Sequence, residues 1–318
     1  MISNDISKAV QLLNEEEVIG FPTETVYGLA GNAFNENAIA KIFKIKERPS
    51  FNPLIVHVKN KEQIHEVAMA IPDLAYELIH QFWPGPLTLI LKKQPHISNL
   101  ITANRDTVAV RMPQHPVALE LLNQLSFPLV APSANPYTAI SPTQAIHVQN
   151  YFQDKIPLIL DGGPCTAGIE STIIGFEGNK VILYRLGSIP LEAIEALTGK
   201  IEIKNHNEKS PVAPGMTLKH YAPKTKVVLT HWTDEELKNQ ESKNIGLLRF
   251  STFHTQIQPL QQRVLSPKQD LKEAAANLYQ ALHELDQLNL DGIIAERLPD
   301  YGLGRTINDR LERAAKNN

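Results

Sequence analysis

FPTETVYGLA, at residues 21–30, is the most informative stretch of this 318-residue sequence. It follows an apolar pair, Val18 and Ile19, that predicts a β-strand. Pro22 cannot donate a hydrogen bond to a sheet and Gly28 relaxes the backbone, so the strand breaks off within the stretch. Between these two residues lie three hydroxyl groups and one carboxylate, on Thr23, Thr25, Tyr27 and Glu24. Open α/β sheets bind ligands in loops after the carboxyl ends of strands, so the stretch predicts one wall of a small-molecule site. Ordinary turn chemistry explains the same residue types.

The composition is that of an ordinary globular protein, with 42% hydrophobic and 20% charged residues. The length favours two domains. The single cysteine, Cys165, excludes an internal disulfide and a cysteine-built metal site, and it fits a reducing compartment. The sequence contains neither a signal-peptide pattern nor an apolar segment of about 18 residues. We therefore expect a cytoplasmic protein with no membrane partner.

Strand-like and helix-like segments alternate through the first two thirds of the chain. Helical periodicity is found at residues 1–17, 37–47, 71–82 and 116–125, and strand-like runs at residues 53–58, 87–91, 108–112, 129–131 and 156–160. Ser141 and Pro142 are typical of a helix start, with Ser141 as the capping hydroxyl. EGNK at residues 177–180 joins two more strand-like runs and predicts a β-hairpin. These elements predict an α/β domain with a mixed sheet at residues 1–202.

The last third of the chain has a different organisation. Residues 203–224 lose their periodicity and are rich in polar residues and proline, which indicates a linker. Beyond the linker, strand-like runs lie at residues 227–229, 245–250 and 292–295, and helix-like runs at residues 271–288 and 305–315. Gly302 and Gly304 form half of a dinucleotide fingerprint but follow no strand turn, so we interpret them as a helix-start loop. Residues 225–318 are predicted to form a small second α/β domain.

Two cations lie at the end of the second predicted helix, at Lys46 and Arg48, on a segment that Pro49 and Pro53 constrain. Lysine supplies a point charge and arginine a planar fork, a combination that suits a polyphosphate. A basic helix end stabilised by the helix dipole explains the same pair. The spacing alone does not choose between these interpretations.

Further polar groups lie within or just after the predicted strands. His57 is in an apolar strand, where a lone histidine is more typical of a core than of a site. Alternation places Thr107 and Arg111 on one face of their strand, although an edge strand with a solvated arginine gives the same pattern. Ser133 and Asn135 follow a buried strand and suit the close approach of a phosphate or adenine, or a plain turn.

The absence of several catalytic motifs, together with the charge distribution, reduces the number of possible function classes. The sequence has no P-loop lysine motif, no GxSxG elbow and no HExxH. Residues 1–200 carry 15 Lys and Arg against 19 Asp and Glu, and the remainder carries 16 against 15. Neither part has the excess of positive charge that is expected of a protein that binds nucleic acid chiefly through its phosphate backbone.

Seven motifs, in this order, resemble the YrdC-like family, specifically its two-domain threonylcarbamoyl-AMP synthases. The matching segments are residues 21–29, 46–49, 52–57, 83–88, 110–113, 131–135 and 168–172. Residues 214–216 and 219–223 are similar to the linker of the long form, so the resemblance covers nearly the whole chain. It implies a YrdC-like twisted mixed sheet with flanking helices, plus a small C-terminal Rossmann-like α/β domain. Residues 136–138 read PYT where many relatives have Ser-Gly, which affects only the expected shape of that loop.

The resemblance implies an enzyme, a nucleotidyltransferase, that converts L-threonine, bicarbonate or CO2, and ATP into threonylcarbamoyl-AMP and pyrophosphate. The product is the donor for the N6-threonylcarbamoyladenosine modification of tRNA next to the anticodon, through a downstream tRNA threonylcarbamoyl transferase. Mg2+ is expected on the ATP phosphates, with no metal ligands from the protein. Residues 211–223 are expected to act as a lid positioned by Tyr221, because a carbamate is labile in water.

The resemblance also implies roles for individual residues. Threonine would be held by Thr25, His57, Arg111, the backbone at Ala131, and Ser171. ATP would be held by Lys46, Arg48, Asn52, Thr107, Ser133, Asn135, Ser141, Arg185 and Tyr221. Lys46 and Arg48 would be the catalytic cations, stabilising charge in the transition state without a covalent nucleophile. The role of Glu24 is left open.

Two other functions share this type of domain. An RNA-binding module is the first, and the near-neutral charge of residues 1–200 argues against it as the main role. A carbamoyl transferase of hydrogenase maturation is the second, and it would need zinc-finger-like segments that a chain with one cysteine cannot build.

Overall fold

The structure is a computed structural model that describes residues 1–178, 180–205, 212–216, 220–231, 244–254 and 258–316. Its helices are α1 (Ile6–Asn14), α2 (Glu36–Lys46), α3 (Ile64–Val67), α4 (Asp73–Phe82), α5 (Asn99–Thr102), α6 (Pro116–Asn123), α7 (Ala145–Phe152), α8 (Leu191–Thr198), α9 (Leu271–Asp286) and α10 (Leu303–Ala315). Its strands are β1 (Ile2–Ser3), β2 (Ile19–Phe21), β3 (Gly28–Asn32), β4 (Ile55–His57), β5 (Ala68–Met69), β6 (Leu87–Lys93), β7 (Thr107–Arg111), β8 (Leu129–Val130), β9 (Ile159–Leu160), β10 (Thr172–Glu177), β11 (Lys180–Arg185), β12 (Glu202–Ile203), β13 (Val227–Thr230), β14 (Ile245–Arg249), β15 (Gln262–Val264) and β16 (Gly292–Glu296).

A large mixed sheet organises the first part of the chain. Its strand order is β1-β9-β2-β3-β8-β4-β7-β6-β10-β11-β12, with β5 paired to β6. Strands β4 and β7 are parallel, whereas β6 and β7 are antiparallel. Helices pack on this sheet through their apolar faces, so the predicted α/β fold with a mixed sheet is confirmed.

Local sequence signals set the ends of the helices that approach the site. Asn35 caps α2 by accepting a hydrogen bond from the Ala38 amide, and Glu47 ends the helix in a left-handed conformation with φ 53°. Lys44 and Lys46 lie in the last turn, where cations complement the helix dipole. This ending turns the chain so that Lys46 is buried rather than solvated.

The hairpin prediction is confirmed, and one helix start is wrong. Strands β10 and β11 pair antiparallel on either side of the turn at residues 177–180, of which residue 179 lies outside the described residues. Helix α7 begins at Ala145 rather than at Ser141. The Ser141 hydroxyl does not cap the helix because it donates instead to Glu170 Oε1, at 2.6 Å.

The last part of the chain forms a second, parallel sheet in the order β13-β16-β14-β15. Strand β15 is not predicted from the sequence, because Gln262 and Arg263 hide its strand pattern. Gly302, with φ 53°, precedes α10, so the helix-start interpretation of this loop is confirmed. The result is the small α/β unit that the resemblance implies.

The two sheets meet through helices α9 and α10. Val26, Ile140 and Ile169 from the first part share one apolar cluster with residues of these helices, including Leu278 and Ile307. The meeting is close, because a Cβ atom on Gly168 would lie 2.3 Å from the Ala276 carbonyl oxygen of α9. The His147 and His283 rings stack across the same boundary with centroids 3.8 Å apart.

Among the helices of the described residues, none is long and apolar enough to cross a membrane.

Candidate ligand-binding cavity

A cavity lies where the carboxyl ends of β4 and β7 meet the linker. The register of these parallel strands places His57 directly beside Arg111. The volume of the cavity is about 50 Å³. The predicted residues that line it are Thr25, Arg48, His57, Arg111, Ala131, Ser133, Ser171, Arg185 and Tyr221. Most of the site residues named from the sequence are therefore brought together.

Arg111 is fixed by contacts on three sides. Its Nη1 donates to Thr25 Oγ1 at 2.8 Å and its Nε to the Gly85 carbonyl oxygen at 3.3 Å. Its Nη2 lies 2.7 Å from Glu24 Oε1, and both side chains are buried. Thr25 in turn shares a 2.8 Å hydrogen bond with Thr23, whose hydroxyl bonds the Val26 carbonyl oxygen. The stretch at residues 21–30 thus forms a rigid wall around a guanidinium, a group suited to a carboxylate.

His57 presents a neutral ring to the cavity. Burial, and then the charge of Arg111, lowers the pKa of His57 to about 3. The ring packs edge-on to Phe21, with centroids 5.8 Å apart. Its Nδ1 is buried and has no hydrogen-bond partner among the residues that the structure describes. Buried polar atoms are nearly always paired, so this nitrogen fits a ligand hydroxyl or amide.

Lys46 and Arg48 hold the loops on the opposite side. Lys46 Nζ donates to the carbonyl oxygens of Ser133 and Asn135. Burial, followed by the charge of Arg48, keeps the pKa of Lys46 well below its usual range. Arg48 donates to the carbonyl oxygens of Asn52 and Pro53, at 3.2 and 2.9 Å, and burial lowers its pKa to about 10. Two neighbouring buried basic side chains, of which Arg48 lines the cavity, make this side suitable for an anion.

Two amide side chains lie behind these cations. Asn135 Nδ2 donates to the carbonyl oxygens of Pro136 and Ala139, at 2.8 and 2.9 Å. Asn135 Oδ1 and both amide atoms of Asn52 are buried and lack hydrogen-bond partners within the described part of the chain. These atoms fit polar groups of a ligand that reaches behind the cavity wall.

Arg185 connects the hairpin to the linker. Its Nη2 donates to Ser171 Oγ at 2.9 Å, and its Nη1 donates to the Pro214 carbonyl oxygen at 3.2 Å. Ser171 Oγ also lies 2.7 Å from Thr88 Oγ1. Gly215 follows with φ 84°, and a Cβ atom there would lie 2.6 Å from the Tyr221 hydroxyl. The linker therefore closes directly over the cavity.

Five predicted ATP residues do not line the cavity: Lys46, Asn52, Thr107, Asn135 and Ser141. Of these, Ser141 and Thr107 lie outside the group around Lys46 and Arg48. Ser141 is fully buried and reaches the cavity only through Glu170, a lining residue. Thr107 begins β7, at the end opposite to Arg111, and lines a separate cleft together with Lys92 and Tyr184. Thr107 and Arg111 occupy the two ends of β7, with three residues of strand between them.

Residues of the second part of the chain were missed. Arg310 and Tyr279 both bond Glu170, at 2.9 Å each. The available signal was Arg310 itself, a charged residue on the buried face that Ile307, Leu311 and Ala314 define. A charge at such a position requires a buried partner.

The described residues contain no group of three or more His, Cys, Asp and Glu side chains that could hold a metal ion.

The fold and the site define a two-part α/β protein with a buried, arginine-rich cavity for small anionic ligands. A family model of the Sua5, YciO and YrdC proteins, described as "Telomere recombination", matches residues 11–187. A second, described as "Threonylcarbamoyl-AMP synthase, C-terminal domain", matches residues 189–316. This chain belongs to the family of two-domain Sua5-type proteins.

Individual relatives agree along nearly the whole chain. A Bacillus subtilis protein named threonylcarbamoyl-AMP synthase is 40% identical, over 98% of this chain and 92% of the relative. The crystal structure of Pyrococcus abyssi Sua5 complexed with L-threonine has a TM-score of 0.91 and 39% identity, over 98% of this chain and 94% of that chain. Escherichia coli YciO, at 21% identity and a TM-score of 0.53, covers 59% of this chain and shares the fold of the first part.

Proposed function

We propose that this protein is an L-threonylcarbamoyladenylate synthase. The single observation that carries the proposal is similarity along the whole chain to proteins named threonylcarbamoyl-AMP synthase. The cavity agrees with this proposal. It places the Arg111 guanidinium beside the Thr25 hydroxyl on one side, and the basic side chain of Arg48 on another. As a nucleotidyltransferase, the enzyme forms threonylcarbamoyl-AMP for the N6-threonylcarbamoyladenosine modification of tRNA, which a downstream tRNA threonylcarbamoyl transferase completes.

L-threonine binds on the side of Arg111 in this proposal. The guanidinium pairs with the substrate carboxylate, and Thr25 orients the guanidinium. The unpartnered Nδ1 of His57 bonds the substrate hydroxyl, which a neutral ring can do at any physiological pH. The backbone at Ala131 and the hydroxyl of Ser171 complete this side, since both residues line the cavity.

The reaction then needs positive charge around the phosphates. The threonine amine and bicarbonate give a carbamate and water; a carbamate oxygen forms a bond to the α-phosphorus of ATP while the bond to the β-phosphate oxygen breaks and pyrophosphate leaves. Lys46, Arg48 and Arg185 stabilise the charge that develops, and their fixed contacts remove the need to reorganise. The remaining ATP contacts are assigned to Asn52, Ser133, Asn135, Ser141 and Tyr221. Thr107, which the resemblance placed on this side, is left out because it lines a separate cleft.

Mg2+ is the cofactor that we propose, bound through the ATP phosphates. Glu170 is the carboxylate that lines the cavity in the described part of the chain, and both of its oxygens accept hydrogen bonds from the protein. This arrangement suits an ion held by phosphate oxygens and water rather than by protein carboxylates. When bound, the ion neutralises phosphate charge.

The linker acts as a lid in this proposal. Residues 211 and 217–219 of the expected lid lie outside the described residues. Ala213 and Met216 pack against Ile55 and Ile173 on the sheet, and Pro214 lines the cavity. The cavity of about 50 Å³ is far below the roughly 300–1,000 Å³ of ligand sites. The lid must therefore move to admit ATP and threonine, and its closure excludes water.

Removing the lid and the second part of the chain tests this role. A chain truncated after Ile201 is expected to lose threonylcarbamoyl-AMP formation almost entirely, because besides the lid it loses Tyr279 and Arg310, two partners of Glu170. The measurement is chromatographic detection of the adenylate, with circular dichroism to establish that the truncated chain folds. Full activity of the folded truncated chain would contradict the lid.

Pyrophosphate release tests the proposed reaction. Release from ATP must depend on both L-threonine and bicarbonate, and release that needs neither contradicts the function.

Arg111→Ala is expected to raise the KM for L-threonine at least about tenfold, because a charge-assisted pair is lost, with a smaller change in the KM for ATP. Salt-dependent binding of duplex RNA without ATP turnover would instead favour the RNA-binding alternative.

A further inference from the structure

Arg310 brings a charged side chain of α10 against two residues that line the cavity, Glu170 and Tyr221. Its side chain is fully buried. Nε donates a 2.9 Å hydrogen bond to Glu170 Oε2, and Nη2 donates one of 2.6 Å to the Leu186 carbonyl oxygen. Its Cζ atom lies 4.7 Å from the centre of the Tyr221 ring. One side chain from α10 therefore contacts both the cavity lining and the linker.

Glu170 is the group through which the two parts of the chain share a buried charge. Its Oε1 accepts a 2.6 Å hydrogen bond from the Ser141 hydroxyl, and its Oε2 accepts one of 2.9 Å from the Tyr279 hydroxyl. Burial alone would raise the pKa of Glu170, but the charges of Arg310 and Arg185 outweigh burial and hold it below its usual range. The carboxylate is therefore ionised and fully engaged.

Tyr221 depends on the same arginine. Its backbone has φ 64°, a conformation that a non-glycine residue keeps only where surrounding contacts hold it. Arg310 covers one region of the ring, and the Tyr279 ring stacks at 5.8 Å. The Tyr221 hydroxyl is buried, belongs to a lining residue and has no hydrogen-bond partner in the described ranges. It is held ready to bond a ligand.

The threonine side of the cavity is anchored independently. Arg111 is fixed by Glu24, Thr25 and the Gly85 carbonyl oxygen, all in the first part of the chain. Ser171 Oγ is held by Thr88 and Arg185. The contacts that fix Arg111 thus do not involve Arg310, and a change in Arg310 is expected to affect the ATP side more than the threonine side. Ser171, held in part by Arg185, is where the two sides meet.

We infer that Arg310 is a positioning residue for the nucleotide, supplied by the second part of the chain. It fixes Tyr221 directly and Ser141 through Glu170, and both residues are on the proposed ATP side. The inference rests on the proposed function only in naming ATP as the ligand of that side. It gives the second part of the chain a role in nucleotide affinity.

The same helix provides a matched control. Arg313 lies one turn further along α10 and is also buried. Its Nη2 lies 3.0 Å from Asp309 Oδ1 and donates to the Asn205 carbonyl oxygen at 3.2 Å, outside the cavity wall. Arg313→Met removes a comparable buried charge from the boundary between the two parts and leaves the contact of Arg310 to Glu170 in place. Both arginines pair with Asp309, so Arg310 remains as the partner of that carboxylate in this variant.

Binding to the full-length chain tests the inference with two probes, α,β-methylene-ATP and L-threonine, measured separately by calorimetry. Arg310→Met is expected to weaken binding of α,β-methylene-ATP by about tenfold or more and to leave the threonine affinity within about twofold. Arg310→Lys keeps the charge without the planar fork and should fall in between. Arg313→Met should leave both affinities within about twofold, whatever its effect on the melting temperature.

Several outcomes overturn the inference. The first is an unchanged affinity of Arg310→Met for α,β-methylene-ATP. The second is an equal loss of affinity for α,β-methylene-ATP and L-threonine in that variant. The third is the same selective loss of nucleotide affinity in Arg313→Met. If Arg310→Met does not fold, wild-type nucleotide affinity in Arg310→Lys and in Glu170→Gln overturns it. Failure of the proposed function is seen separately, as a wild-type chain that binds the nucleotide analogue but forms no threonylcarbamoyl-AMP.

Discussion

Arg111 and Glu24 form an ion pair inside the cavity wall, with side chains only 4% and 7% exposed. Taking two charges out of water costs several kcal/mol each, and attraction offsets this only in good geometry with further hydrogen bonds. Thr25 and the Gly85 carbonyl oxygen accept hydrogen bonds from the guanidinium. Within the described residues, Arg111 Nη2 and both Glu24 carboxylate oxygens have no partner in hydrogen-bonding geometry, so the contact between them is an ion pair alone. Glu24, whose role the sequence leaves open, is thereby placed as the counter-ion that orients Arg111.

Glu24→Gln tests this placement at the level of a single residue. The amide keeps the size of the side chain but removes its charge, so Arg111 loses its fixed orientation. We expect the KM for L-threonine to rise about tenfold while the KM for ATP changes less than about twofold. Steady-state pyrophosphate release measures both constants. Glu177→Gln, in an exposed ion pair with Lys204, is the control, and an unchanged threonine KM in Glu24→Gln would contradict the role.

Helix α9 packs against the loop that carries Glu170 without room for a side chain. Gly168 has φ 69°, and a Cβ atom there would lie 2.3 Å from the Ala276 carbonyl oxygen. The obstructing atoms are backbone, which cannot move aside as a flexible side chain does. The glycine therefore sets the distance between the helix and the cavity wall.

Gly168→Ala is expected to lower the free energy of unfolding by about 2 kcal/mol or more, from overpacking and left-handed strain together. Adenylate formation should fall with it, because α9 carries Tyr279 away from Glu170. Gly178→Ala separates the two effects: its φ is 60° and nothing lies within 4 Å of its Cβ position. That control should lose about 1 kcal/mol in chemical denaturation and keep its activity. Equal stability losses in the two variants would argue against the close approach.

The whole molecule is held together by a boundary that contains two neutral, stacked histidines. The Thr143 amide donates to His147 Nδ1, and His283 Nε2 donates to the Ser141 carbonyl oxygen, each at 3.2 Å. Burial, and then the neighbouring His283, lowers the pKa of His147 to about 3, although Glu284 acts in the opposite direction. Burial lowers the pKa of His283 to about 4. Both folded-state values lie below the usual 6.5.

Stability is therefore expected to fall in acid. Below about pH 6.5 the unfolded chain binds protons at both histidines that the folded chain excludes, so stability declines as the pH falls toward 4. Each histidine contributes up to about 1 kcal/mol per pH unit in that window. His147→Gln and His283→Gln should flatten the pH dependence of the melting temperature, whereas His80→Gln, on an exposed helix position, should not. Parallel curves for all four proteins would contradict the assignment.

The sequence predicts the first part of the fold well because its signals are local. The helical periodicity at residues 37–47 and 71–82 depends on neighbours a few residues away, as does the alternation in β7. Ser141 was misread because its hydroxyl partner, Glu170, lies 29 residues further along the chain. Arg310 was missed for the same reason, since its partner Glu170 is 140 residues away. Local patterns indicate which elements form, and they do not indicate which buried charges find each other between elements.

The contact between Arg310 and Glu170 also bears on how the chain matures during synthesis. Domains fold as units, with the N-terminal one first as the chain leaves the ribosome. The first part can thus assemble its sheet while Glu170 still lacks the guanidinium that α10 supplies. If the proposed function holds, the ATP side of the cavity is complete only after α10 has been synthesised. A chain that still lacks α10 would therefore consume little ATP, because Glu170 has not yet met Arg310.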